Sequence, residues 1–402
     1  MNEQQHVAPS WIESFDMWTD EAYHADPFPQ LEELRRTCPV AHSATHGGYW
    51  ICTDYESVYR VLRDNDSFSH RQSTVPQPTD PLGPQIPVGL DPPAHGPWRA
   101  LLTPAFSPAQ VELFEPVVRD AAIRLLEPIR HRGECEFMAD FAMELPAAAI
   151  LPFLGLPASA LGMVKAWEEE SMSQVNVSPT ARDRAYAETK PKVRAYLERQ
   201  IAERIATGPI GDDVLSRLVG GEIEGRAPTM DEMVNACSML LSAGLHTTTA
   251  TLGNMVLYLA QHAEQRDRLT EEPSLIPTAI EELMRYEGLV TTGRVATKDV
   301  DVGGQVIQAG EPVLLSIPSA LRDEAMFSEP DAAKFDREPS PTLAFGVGIH
   351  RCLGSHLARM ELRVAMEEIH RHIPRYRLAP GRPVRRHTAI HRTTEALWLL
   401  VA

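Results

Sequence analysis

A short glycine-rich loop, residues 345–354, holds a cysteine in a setting that favours chemistry. The loop reads Phe-Gly-Val-Gly-Ile-His-Arg-Cys-Leu-Gly, and its cysteine is Cys352. Apolar residues at helical spacing follow from Ser355 to Ile373, and Pro374 ends the pattern. The free N–H groups and the dipole at the start of such a helix favour a thiolate over a thiol. A thiolate on a rigid loop predicts either a metal ligand or a nucleophile.

The spacing Phe-x-x-Gly-x-His-Arg-Cys-x-Gly in this loop resembles that of the cytochrome P-450 family of haem-thiolate monooxygenases at every fixed position. The alternative is a structural cysteine in a buried turn, and the length of the motif argues against it. The resemblance implies that Cys352 is the axial ligand of a haem iron. It also implies that Phe345 packs beside the sulfur, and that Gly346 and Gly354 let the backbone approach the porphyrin.

Two further donors lie far upstream, at the start of a predicted helix. His95 and Arg99 are four residues apart, so their side chains project from one face and can hold a carboxylate. The family uses a His-x-x-x-Arg at this place to bind a haem propionate. The resemblance implies the same role for Arg294 and His350, which would complete a ring of charge-assisted hydrogen bonds around the two carboxylates of haem b.

A long helix is predicted from the capping box Thr229-x-x-Glu232 to beyond Leu259. Its middle contains a glycine and three threonines, which are poor helix formers, and threonine can bond back to a carbonyl one turn earlier. This segment resembles the family pattern Ala-Gly-x-(Asp/Glu)-Thr-Thr, which lines the oxygen pocket. The matching residues are Ala243, Gly244, Thr247 and Thr248.

Position 246 departs from the family, which usually has a carboxylate there that helps to deliver protons to oxygen. Three interpretations stay open for His246. It replaces the acid as a relay, since its pKa lies near neutrality. It is a structural histidine while water relays protons. Or it marks different chemistry, such as the use of peroxide. Our hypothesis is that Thr247, with Thr248 beside it, handles oxygen while His246 tunes proton delivery.

Residues 73–93 carry seven prolines, a density that excludes regular elements and predicts a long loop. In the family this region borders the substrate cavity, as do a segment near residue 290 and a turn near the C-terminus. The walls are predicted to be apolar with few polar anchors, which favours a small or medium, mainly apolar substrate. The candidate substrate contacts are Ile86, Val88, Ala243, Val290, Thr291, Thr292 and Ile390.

The bulk properties are those of a globular protein of 402 residues, 43% hydrophobic and 23% charged. No linker or repeat divides the chain, so we expect one domain over residues 1–402, mainly α with small β-sheets. Prolines at 179 and 191 are expected to separate the helices between residues 108 and 206. A formal net charge of -17 argues against nucleic-acid binding.

Location is predicted from cysteine usage and hydropathy. Five scattered cysteines without a Cys-x-x-Cys pair indicate a reducing compartment. The N-terminal residues are polar and lack a signal-peptide pattern. The most apolar stretch, residues 145–156, is too short to cross a bilayer and contains two prolines. We therefore expect a cytoplasmic protein without a membrane segment.

The resemblance implies a monooxygenase that activates O2 with two electrons from NAD(P)H, delivered by a ferredoxin or flavodoxin and its reductase. One oxygen atom enters an organic substrate and the other leaves as water. Arg351, Arg359 and Arg363 are candidates for a basic face that meets an acidic donor. A peroxygenase using hydrogen peroxide is one alternative, motivated by His246. A non-catalytic haem sensor or ligand-binding protein is another, and the threonine-lined helix argues against it.

Overall fold

The computed structural model describes residues 8–78, 85–175, 177–338 and 341–402. Helices dominate and small sheets flank them, which confirms the predicted fold class. The helices are α1 Glu21–Ala25, α2 Phe28–Thr37, α3 Tyr55–Arg63, α4 His95–Leu102, α5 Pro108–Glu112, α6 Glu115–Arg132, α7 Glu144–Leu154, α8 Leu161–Val175, α9 Pro179–Thr207, α10 Val214–Gly220, α11 Met230–Gln261, α12 Ala263–Glu271, α13 Ile276–Glu287, α14 Ile317–Ala320 and α15 Ser355–His372. The strands are β1 Val40–Ser43, β2 Tyr49–Cys52, β3 Phe68–Ser69, β4 Glu134–Glu136, β5 Thr291–Ala296, β6 Val300–Val302, β7 Gln305–Ile307, β8 Pro312–Ser316, β9 Tyr376–Leu378, β10 Arg385–Thr388, β11 Arg392–Ala396 and β12 Trp398–Val401.

The largest sheet in the described residues has five strands in the order β1-β2-β8-β5-β3. Strand β2 runs parallel to β8, and β5 pairs antiparallel with β8, with Thr292 opposite Leu315. Smaller sheets join β4-β12-β9, β6-β7 and β10-β11. Because side chains alternate along a strand, Thr292 and Arg294 of β5 face the same side of the sheet.

Helix α11 runs through the middle of the fold and packs against α7, α9, α13, α15 and β11. Its capping box is present: the Thr229 hydroxyl accepts from the backbone N–H of Glu232 at 3.3 Å, and Glu232 Oε2 accepts from that of Thr229 at 2.7 Å. Buried residues lie along its whole length, as expected for a helix enclosed by others. Within the described ranges, no helix combines the length and apolar character needed to cross a bilayer.

The proline positions predicted a loop and two helix boundaries, and the second of those boundaries is wrong. The described residues between β3 and α4 form no helix or strand, as the prolines predict; Pro81 and Pro84 lie outside the described residues. Pro179 opens α9 after the Ser178 cap, but Pro191 lies inside that 29-residue helix instead of separating two helices. A long helix tolerates the loss of one backbone hydrogen bond when flanking turns and packing hold it.

A buried carboxylate ties α13 to the segment that leads into the cysteine loop. Glu282 accepts hydrogen bonds from Arg285 at 2.8 and 2.9 Å, from Arg337 at 3.0 Å and from the Lys334 N–H at 2.9 Å. Arg285 also donates to the carbonyls of Leu321 and of two later residues. The two residues are three apart on one helix, a spacing that allows this pair, and the pair fixes residues 321–337 against the helix.

Removing Glu282 should destabilise the protein far more than removing its neighbour Glu281. Glu282→Ala leaves two arginines without their shared acceptor in the interior, which costs about 3–5 kcal/mol. Glu281→Ala removes a partly exposed pair with Arg359, worth roughly 0–1 kcal/mol. Urea unfolding followed by tryptophan fluorescence measures both. Equal shifts in the unfolding midpoint would contradict the role assigned to the buried pair.

Candidate active site

The cysteine loop is held by backbone hydrogen bonds that glycines make possible. Cys352 N–H donates to the Phe345 carbonyl at 2.8 Å, and Gly346 N–H donates to that of Leu343 at 2.8 Å. Gly346 and Gly348 have φ of +65° and +77°, a region that side chains disfavour. A Cβ at Gly348 would also lie 3.0 Å from the Leu62 carbonyl. Turn geometry thus accounts for these two glycines.

Cys352 is accessible on the wall of a cavity and enclosed by protein on its other sides. Burial raises the pKa of its thiol, while the Gly354 N–H and the charges of Arg99, Arg351 and Arg359 act in the opposite direction. The expectation that the helix N-terminus by itself favours the thiolate is therefore incomplete, because burial outweighs it. A coordinated cation is what deprotonates a thiol in such a place.

Three imidazoles and two guanidinium groups line the same cavity as Cys352. The ring of His350 lies 4.3 Å from that of His70 and 4.3 Å from that of His95, centroid to centroid. Arg294, from β5, and Arg99, one helical turn after His95, complete the group. We call these five residues the cationic cluster, after its two guanidinium groups.

The cationic cluster has too few acceptors within the protein. Nδ1 of His70, Nε2 of His95 and both ring nitrogens of His350 are buried and have no hydrogen-bond partner. Burial, reinforced by the charges of His95 and Arg294, lowers the pKa of His350 to about 3. Burial also lowers the pKa of Arg294 to about 9, and Asp91 alone opposes it. Such donors fit a bound group that carries carboxylates.

Helix α11 forms the opposite wall through its glycine and threonines. The Thr247 hydroxyl donates to the Ala243 carbonyl at 2.8 Å, the backbonding that threonine in this helix predicts. Ala243, Gly244, Thr247 and Thr248 all line the cavity with Cys352. Gly244 also allows a close approach to α7, because a Cβ there would lie 2.8 Å from Ile150 Cδ1.

Two cavities adjoin at this wall. The cysteine cavity, about 300 Å³, contains Cys352 and the cationic cluster, and the second cavity, about 760 Å³, extends toward α9 and the C-terminal turn. Both are lined by Val88, Ala243, Thr247, Val290 and Thr292, together with His70 and Met239. His246 lines the second cavity and is not among the residues that line the cysteine cavity.

The predicted substrate contacts divide accordingly. Val88, Ala243, Val290 and Thr292 lie on the shared wall, while Thr291 and Ile390 line the second cavity only. Ile86 corrects the prediction: its side chain is buried in the hydrophobic core and lines neither cavity. In the proline loop the side chain of Val88 faces the cavities, whereas that of Ile86 packs into the hydrophobic core. The apolar character of the two residues does not show which of them faces the cavities.

Comparison with known proteins agrees with this geometry. A family model described as Cytochrome P450 matches residues 177–373. Cytochrome P450 109 of Bacillus spizizenii is 33% identical over 350 residues, 85% of this chain and 83% of that protein. The mycinamicin IV hydroxylase/epoxidase of Micromonospora griseorubida is 33% identical over 356 residues, 86% of this chain and 88% of that protein. The crystal structure of CYP101J2 superposes with a TM-score of 0.87 at 28% identity, covering 98% of this chain and 100% of the other.

The chain belongs to the cytochrome P450 family. Members of this family bind haem b through a cysteine thiolate and act as oxidoreductases. In this P450, the residues that would hold haem b are Cys352 at the iron and the cationic cluster at the propionates, with Phe345, Gly346, Gly354, Ala243 and Gly244 lining the same cavity. The orphaned imidazole nitrogens supply the donors that two carboxylates need.

Sequence reasoning missed three buried polar residues at these cavities. His70 stacks on His350 but follows a short strand that carries no motif. Glu361 lines the cysteine cavity, and burial raises the pKa of its carboxyl well above the usual range. Arg182 lines the second cavity from α9. Each reads in sequence as a solvated polar residue, and only the fold shows that it is enclosed.

We expect His70→Ala to weaken haem retention without preventing folding. Loss of one hydrogen bond to a charged group costs about 1.5–3 kcal/mol, so haem loss should accelerate roughly tenfold or more. The rate of haem transfer to an excess of apomyoglobin measures it. His42→Ala removes an exposed imidazole that packs on Trp50 and serves as the matched control. Identical rates for both variants would remove His70 from the haem site.

Proposed function

We propose that this P450 inserts one atom of O2 into a small or medium organic substrate, with Cys352 as the haem ligand. The observation that supports it is the convergence of one accessible sulfur, three buried groups (His70, His95 and Arg294) and two half-buried groups (Arg99 and His350) on one cavity. Haem b supplies the oxygen activation. The side chains on the shared wall are mainly apolar, so the part of the substrate that reacts is apolar.

Thr247 and His246 are proposed to divide the handling of protons. The Thr247 hydroxyl donates to Ala243, which leaves its oxygen free to accept a hydrogen bond at the shared wall. His246, the preceding residue, lines the second cavity together with His391, whose pKa it helps to lower. A proton would therefore reach Thr247 from the second cavity, by way of His246 or of water near it.

The electron donor is proposed to be a ferredoxin or flavodoxin with its NAD(P)H reductase. The expected basic face is smaller than the sequence indicates, because two of its three arginines are paired. Arg359 donates to Glu281 at 2.5 and 2.9 Å, and Arg363 donates to Glu115 and Glu367. Arg351 is exposed next to Cys352 and remains available for an acidic donor.

The reduced protein should bind carbon monoxide with the shifted absorption band of a thiolate-ligated haem. Cys352→Ala should abolish that band because no other cysteine among the described residues lines the cavity. Cys237→Ala, which removes a buried cysteine of α11 outside the cavity wall, should retain it. A thiolate band that survives Cys352→Ala would overturn the assignment of the ligand.

We expect His246→Ala to lower the ratio of product formed to NAD(P)H consumed several-fold, with substrate affinity changed less. Loss of a titratable group near Thr247 slows proton delivery, and reducing equivalents then escape as peroxide or water. Parallel assays of product, NAD(P)H and peroxide measure the ratio, and Thr247→Ser tests whether the hydroxyl suffices. Unchanged coupling would exclude His246 from the relay. Turnover driven by peroxide as fast as by the ferredoxin system would instead favour the peroxygenase function.

A further inference from the structure

The second cavity is lined by more basic side chains than its place in an acidic protein predicts. Its wall includes Arg71, Arg182, His70, His246 and His391, and no aspartate or glutamate is among the described residues that line it. Arg71 is exposed and lies 3.4 Å from Asp91, so part of its charge is offset. Arg182 is the cation enclosed at this wall, with 1% of its surface exposed.

Arg182 is held in place by contacts that leave one donor unsatisfied. Its Nε donates to Asp183 Oδ1 at 3.0 Å and its Nη1 donates to the Pro76 carbonyl at 3.1 Å. The guanidinium carbon lies 5.3 Å from the ring centroid of Trp18. Nη2 is buried 2.9 Å from Asp183 Oδ1, but it has no hydrogen bond of favourable geometry. Asp183 therefore offsets part of the charge of Arg182, but a buried Nη2 donor without an aligned acceptor still points to a ligand there.

A second unsatisfied donor site lies on the same wall. His391 follows Ile390 in the turn between β10 and β11, and its Nδ1 is buried without a partner. Its ring is neutral near pH 7, because burial and the charge of His246 lower its pKa to about 4. A neutral imidazole can present its N–H to an acceptor. The family usually has a carboxylate at the position of His246. Because this chain has a histidine there, α11 adds no negative charge to this wall.

We infer that the substrate of this P450 carries an anionic group, of the carboxylate class, which Arg182 and His391 bind in the second cavity. The inference rests on the proposed function and specifies its substrate. The two cavities share the wall formed by Val88, Ala243, Thr247, Val290 and Thr292. A molecule that spans them places its anionic end at Arg182 and its apolar end beside Thr247. Oxidation therefore occurs at a carbon remote from the anionic group.

The test compares two acids with neutral compounds of the same skeleton. Decanoate and decanamide give a flexible pair, and hydrocinnamate and hydrocinnamamide give a compact pair. Dissociation constants come from the haem absorption change and, independently, from calorimetry. A charge-assisted hydrogen bond is worth about 1.5–3 kcal/mol, so at least one acid should bind roughly tenfold or more tightly than its amide.

Arg182→Gln should remove that preference, and Arg182→Lys should keep part of it. Arg266→Gln is the matched control, because Arg266 also donates to the adjacent aspartate and to a backbone carbonyl and lies over an aromatic ring, but lines neither cavity. If Arg182→Gln fails to fold, Arg182→Lys is compared with the wild-type protein instead, and it should bind the acid more weakly while binding the amide equally well.

Three results would overturn the inference: neither acid binds, both acids bind no better than their amides, or Arg182→Gln keeps the wild-type preference. In the second case water satisfies the buried donors. The carbon monoxide spectrum separates these outcomes from failure of the proposed function. A thiolate band together with no acid preference removes the anion site and leaves the monooxygenase assignment intact.

Discussion

The site depends on a set of buried imidazole and guanidinium groups that face one cavity with few anions of the protein around them. Asp91 is the carboxylate whose charge reaches Arg294, His95 and His350, and it is already bonded to the Ser69 hydroxyl and the His70 N–H. An unpaired buried charge is costly, so the folded chain is incomplete without a ligand that brings carboxylates. The sulfur of Cys352 lies on the same cavity. A single bound group that carries both a metal ion and carboxylates would therefore pair with the thiolate and with the imidazole and guanidinium donors.

Helix α11 places neighbouring side chains on two different cavities. Successive helical residues point about 100° apart, so adjacent side chains can line different spaces. Thr247 lies on the wall between the cavities, and His246 faces the second cavity only. The division follows from helix geometry and from the close packing of Gly244 on Ile150, which fixes the rotation of the helix.

The sequence predicts those parts of the structure that depend on local signals. The capping box at Thr229 and the helix after Gly354 were readable because turn chemistry and periodicity are local. The cysteine loop was readable because its glycines and cysteine are consecutive. The burial of His70, Arg182 and Glu361 could not be predicted, because the residues that enclose these side chains are far away in the chain. The prediction that Ile86 contacts substrate was wrong for the same reason, because tertiary packing decides whether an apolar side chain in a loop faces the core or the cavity.

Overall charge says little about what such an enclosed site binds. A net charge of -17 repels anions at long range, but exposed charges are screened beyond about 8 Å at physiological ionic strength. Arg182 lies in the interior, where a lower effective dielectric strengthens each nearby interaction. The field that a substrate meets in the second cavity is therefore set by the side chains on its wall, and the basic ones among them are arginines and histidines. Apolar residues on the shared wall decide which carbon reaches Thr247, while the buried cation decides which end of the molecule stays behind.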